Sequence, residues 1–212
     1  MYIPKAFRED DIETLHAFMR EYSFATLVTQ HHGELEASHL PFLFDAQRGS
    51  YGTLMAHMAR ANSQWRTFAE TQEALVIFQG PHTYISPSWY EDDLAASVPT
   101  WNYAVVHAYG TPRLIEDEVT LYSLLQALVE KHESQFEKPW TFKPLDVHMQ
   151  NRLRAIAGFE MPITRLEGKF KMSQNRSAND QGRVVAALEG KADPISTEVA
   201  ELMSKRRRDG SG

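Results

Sequence analysis

Arg60, in the stretch HMARAN at residues 57 to 62, stands between the apolar run YGTLMA and the aromatic, helix-like SQWRTFA. A guanidinium at a strand end, just ahead of a short helix that Asn62 would cap, sets a forked donor beside helix N-terminal amides. Both suit a phosphate dianion. An ordinary solvated arginine is the plainer alternative. Asn62 and Gln64 would support Arg60, while His57 either donates to the same anion or packs at the strand end. Ser38, His39 and Leu40 precede Pro41, which has no N–H for a ladder, so backbone groups there are expected to be available to a ligand. Lys169, Lys171 and Ser173 in GKFKMSQN alternate along a strand and share one face. They either reinforce an anion site or form a solvated ladder at an edge. Trp65 is most simply core.

Other chemistries have less to stand on. No G-x-S-x-G elbow, P-loop or G-x-G-x-x-G occurs. HHGE at residues 31 to 34 resembles a loose metal cluster, but adjacent histidines in a two-residue turn are expected to point apart, and no metal site is expected. With no cysteine in 212 residues, disulfides, thiolate metal sites and a thiol nucleophile are all excluded, so redox chemistry would need a bound cofactor. A net charge of -6 argues against direct DNA binding. The basic KRRR near the C-terminus is expected to be a solvated end. No run reaches the length of a membrane span and the first residues lack a signal-peptide pattern, so a soluble, cytoplasmic protein is expected.

The elements that must carry these residues follow from periodicity. EDDIETLHAFMREY reads as an amphipathic first helix entered through Asp10 and Glu13. FATLVTQ and LEASHLPFLF read as an antiparallel hairpin around Gly33, with the second strand at an edge or bulged because of Pro41. YGTLMAH and EALVIFQG give two more strands, flanking the short helix near Asn62. PHTYISPSWY gives a short strand and an irregular excursion through EDDLAASVP, followed by the long strand TWNYAVVHAYG, which TPRLIED continues or pairs with. EVTLYSLLQALVEKHES is the clearest helix, with leucines on one face and Asp117 as its cap. A linker with Pro139 and Pro144 leads to a helix near DVHMQNRLRAI, a late strand FEMPITRLEGKFKMSQN and two terminal helices. Many short strands without regular intervening helices favour an antiparallel barrel over a doubly wound sheet.

In this order, MYIPKAF, ASHLPF, HMARAN, YISPSWY, VPTWNY and LEGKFKMSQN resemble the PaiB family, described as FMN-binding negative transcriptional regulators. The resemblance runs from Met1 to about Arg176. It implies a mainly β, antiparallel split β-barrel with flanking helices, similar to the flavin-binding barrel of pyridoxamine phosphate oxidase. That barrel would occupy residues 1–175, with a C-terminal helical extension and basic tail over 176–212. The resemblance also implies a homodimer with two FMN sites, each built from both chains. Arg60 would then hold the phosphate with Asn62 and Gln64, and the backbone of Ser38, His39 and Leu40 would face the ring edge. Thr100, Trp101 and Asn102 would reach the partner's flavin, Lys169 and Lys171 would add positive charge, and His57 would lie nearby. Regulation would run through a protein partner or DNA and through flavin redox state. A flavin-dependent oxidoreductase and, more weakly, a haem-binding protein are the alternatives, and no catalytic residue is assigned.

Overall fold

The computed structural model describes residues 1–71, 73–91, 97–141 and 147–209. In chain order its elements are β1 Arg8–Glu9, α1 Ile12–Glu21, β2 Phe24–His31, β3 Glu34–Pro41, β4 Leu43–Asp45, β5 Thr53–Ala59, β6 Ala74–Ile85, β7 Thr100–Gly110, β8 Arg113–Leu114, α2 Glu118–Glu133, α3 Val147–Leu153, β9 Ile156–Lys171, α4 Ala178–Glu189 and α5 Pro194–Asp209. They divide between two compact units. The first takes Ile12–Phe78 and His107–Leu166, the second Met1–Asp11, Gln79–Val106 and Glu167–Gly212.

In the first unit the strands follow the order β3-β2-β6-β7-β9-β5-β4, with β8 also on β9. The pairs β2/β3, β2/β6, β4/β5, β5/β9 and β8/β9 are antiparallel. β3 and β4 end the order, so no ladder closes it among the described residues. This is the mainly antiparallel split barrel with flanking helices that the sequence implies. Its core is apolar and aromatic: Phe159 packs edge-on to Phe42 at 6.1 Å and to Phe68 at 5.1 Å, and Phe42 to Phe78 at 6.0 Å.

The hairpin forms as the sequence predicts. His32 and Gly33 both take positive φ, 49° and 87°, the signature of the two-residue turn whose twist matches the strands it joins. α1 starts at Ile12, so Asp11 rather than Asp10 precedes it. α2 is capped by Asp117, whose carboxylate accepts the Thr120 N–H at 2.8 Å. Leu121, Leu124 and Leu128 pack with Leu153, and Met55 and Ile156 lie against them. Gly158 permits that approach, because a Cβ there would stand 2.3 Å from Leu121 Cδ1. Hydrogen bonds from the Thr120 hydroxyl, then from its backbone, hold the Asp117 carboxyl below its usual range. The cap is therefore intact above the ordinary carboxylate range and lost as pH falls through the lowered value. Asp117→Ala is expected to speed hydrogen exchange at the Thr120 amide at neutral pH, and acidification should do the same in the native chain.

Three elements differ from expectation. The segment after Asn62 is a single 3-10 turn, Gln64–Thr67, too short to carry a useful helix dipole. PHTYI is not a separate strand but the second half of β6, where Gly80 and Pro81 are both buried and reset the two-residue alternation. β8 pairs with β9 rather than β7.

The second unit holds α4, α5, β1 on the end of β9, and the adjoining halves of β6 and β7. Val184, Leu188, Val199 and Met203 are its buried helix faces. The basic run is helical rather than a free end: Arg206 pairs with Glu9, and Arg207 donates to the Ala178 carbonyl. Residues 92–96 of EDDLAASVP, Pro144 and the last three residues lie outside the described residues.

Candidate cofactor site

In the first unit, one chain of hydrogen bonds joins the β3 edge to the turn after β5. Asn62 Nδ2 donates to Ser38 Oγ at 2.8 Å, and Asn62 Oδ1 accepts the Gln64 N–H at 2.9 Å. Gln64 Nε2 donates to Thr29 Oγ1 and to the Glu36 carbonyl, while Ser63 Oγ donates to Glu36 Oε1. Gln64 is fully buried, which corrects its expected place at a ligand: it braces β2 and β3 against the Arg60 segment.

That bracing fixes Arg60. Its backbone N–H donates to the Ala155 carbonyl and its Nε to the Ile156 carbonyl, and its guanidinium lies 5.0 Å from the Trp65 ring. Trp65 is therefore a platform for Arg60 rather than core, and its Nε1 donates to the Arg60 carbonyl at 3.0 Å. The two Nη groups of Arg60 make no further hydrogen bond among the described residues. Arg60 lines a pocket of about 390 Å³ together with Arg154, Glu116, Glu118, Leu121 and Leu153. Arg154 was not identified from sequence because it sits at the end of an amphipathic helix pattern, where a charged residue is unremarkable.

The backbone at Ser38, His39 and Leu40 sorts by register. The Phe42 N–H donates to the Ser23 carbonyl, and the two-residue period then puts Leu40, Ser38 and Glu36 in hydrogen-bonded pairs with β2. The Ser38 and Leu40 amides are thus used in the ladder, contrary to expectation. Pro41, opposite Phe24, falls where no N–H is required. His39 turns its N–H and C=O to the outer edge, where no strand pairs with β3 among the described residues. Its ring Nδ1 is 2.9 Å from Thr26 Oγ1.

His57 is half-buried, and burial pushes it below the ordinary value of 6.5, leaving a neutral ring whose Nδ1 has no partner among the described residues. It brings no positive charge to an anion at neutral pH. Because the unfolded chain takes up the proton more readily, stability is present above pH 6.5 and falls as pH drops below it. His57→Phe is expected to flatten that acid-side slope in denaturation midpoints measured from pH 7 to 5.5.

In the second unit, Lys171 Nζ donates to the Trp101 carbonyl at 2.8 Å and to the Thr100 hydroxyl. Burial, then Lys169 and Arg176, push its pKa down. Lys169 lies 5.3 Å from the Tyr103 ring. Trp101 is half exposed, near His82 and Tyr84. Asn102 is fully buried and donates to Ser173 Oγ at 2.9 Å, so its side chain serves the interior, contrary to the expected reach to a partner. The histidines of HHGE do not point apart: their ring centroids are 3.9 Å apart.

Comparison with solved structures defines the class. The flavocytochrome Anf3 from Azotobacter vinelandii matches with a TM-score of 0.59 at 15% identity, over 80% of this chain and 72% of that one. The FAD and heme binding protein from Mycobacterium smegmatis matches at 0.56 and 16%, over 85% and 79%. These likenesses establish the split-barrel fold. Within it, the family model described as "Putative FMN-binding domain" matches residues 1–165, and "Protease synthase and sporulation protein PAI 2" of Bacillus subtilis is 37% identical over 97% of this chain and 98% of its own length. The chain belongs to the PaiB family of FMN-binding-domain proteins.

Proposed function

We propose that this chain binds FMN as a homodimer in the cytoplasm and serves as a negative transcriptional regulator of the PaiB type, its state set by flavin reduction. Arg60 carries the reading. Its direction is fixed by Nε and by Trp65, its Nη groups are unspent, and such a forked donor fits a phosphate. The outward His39 N–H and C=O fit the polar edge of a flavin ring. Gln64, Asn62 and Ser38 act behind these groups by holding them in place. Lys169 and Lys171, with Thr100, Trp101 and Arg176 beside them, form a second cationic group in their own unit. The FMN-binding family model supports the cofactor, as do the flavin-bearing names of proteins that share the fold.

Bound FMN would supply reversible hydride and electron chemistry. The chain's own residues would bind and orient it and set how its redox state reaches a protein or DNA partner. Absorbance titration of the folded chain with FMN, alongside its mass in solution, tests the reading. Saturable binding by a dimer, with partner or DNA affinity that changes on reduction, supports it. A folded chain that leaves FMN free overturns it, and turnover with a reduced nicotinamide and a small acceptor would move the function to an oxidoreductase.

A further inference from the structure

We propose that His31, His32 and Glu70 form a site for a divalent transition-metal ion, Zn²⁺ foremost. One ligand atom from each lies within 4.8 Å of the other two. His31 Nδ1 and Glu70 Oε2 are 3.5 Å apart. Two ligands held at about 2.0–2.1 Å by a tetrahedral zinc lie about 3.3 Å from one another, so this pair already has the required separation. The third ligand needs only side-chain rotation of an exposed ring.

The convergence has a structural cause. Neighbouring side chains on a strand face opposite ways, but His32 leaves the strand with φ 49° as the first residue of the turn, and this swings its ring beside that of His31. Glu70 comes from the chain after the 3-10 turn Gln64–Thr67. The bonds from Gln64 and Ser63 to Glu36 hold that segment against the same hairpin, so both sides of the site are fixed before a metal arrives. Two imidazoles and a carboxylate are the donor set that borderline divalent ions favour, and three protein ligands leave a fourth position for water. The ion would tie the hairpin tip to the segment leading into β6.

The full chain is titrated with Zn²⁺ against a chromophoric chelator, and with Co²⁺, whose visible absorption reports coordination number. The expected result is one Zn²⁺ per chain, an intense tetrahedral Co²⁺ band and a rise in melting temperature reversed by chelator. His31→Ala, His32→Ala and Glu70→Gln should each weaken binding at least tenfold without changing the metal-free melting temperature by more than a degree or two. No saturable binding overturns the proposal. So does binding that survives all three substitutions, or a Co²⁺ spectrum of the weak octahedral kind.

Discussion

Arg60→Ala is expected to weaken FMN binding by about ten- to a hundredfold while leaving the melting temperature of the FMN-free chain nearly unchanged. A charge-assisted hydrogen bond contributes about 1.5–3 kcal/mol, and each 1.4 kcal/mol is about a factor of ten in affinity. The guanidinium is exposed, and of its side-chain hydrogen bonds only the one from Nε goes to the protein, so its loss leaves no buried group unpaired. Lysine at the same position should recover part of the affinity through its charge but not the fork. Fluorescence quenching of FMN on binding is the measurement, with Arg154→Ala as the comparison. Equal affinity in wild type and Arg60→Ala would mean that the phosphate is held elsewhere.

Phe159→Ala should cost about 3–5 kcal/mol of stability, the range for emptying a buried aromatic site. Phe159 is fully buried on β9, opposite Ala56 of β5 and Leu114 of β8, with Phe42 and Phe68 edge-on to its ring. Phe42 and Phe68 are themselves buried in the same core. Against a typical total of about 5–15 kcal/mol, such a loss leaves a chain unfolding at much lower urea. A midpoint close to wild type would show that the core repacks.

Periodicity made α2 legible, since its leucines and Asp117 are local signals, and Gly33 did the same for the hairpin. The segment after Asn62 reads as a helix because Asn62 is a good cap and sequence does not show how soon the following turn ends. β6 reads as two strands because Gly80 and Pro81 look like punctuation, whereas the strand continues through both with the two residues buried. At the site, Arg60 was legible as a charged residue following a strand. Gln64 and Asn102 read as ligand-facing because polar side chains are ordinarily at the surface, whereas both are buried. Their partners Thr29, Glu36 and Ser173 are distant in sequence. The approach of His31 to Glu70 likewise depends on a hairpin meeting a loop that only tertiary structure brings near it.

The two units are interleaved along the chain, which passes from one to the other after Asp11, Phe78, Val106 and Leu166. During synthesis the last strand segment of the first unit is translated before α4 and α5. The residues up to Asp11 and the β6 and β7 halves from Gln79 to Val106 must therefore wait, already made, for helices translated after them. A premature stop after Leu166 would thus spare every segment of the Arg60 unit and deprive earlier-made strands of the helices that complete their unit. The helices α4 and α5 thus complete a unit whose other residues are translated long before them.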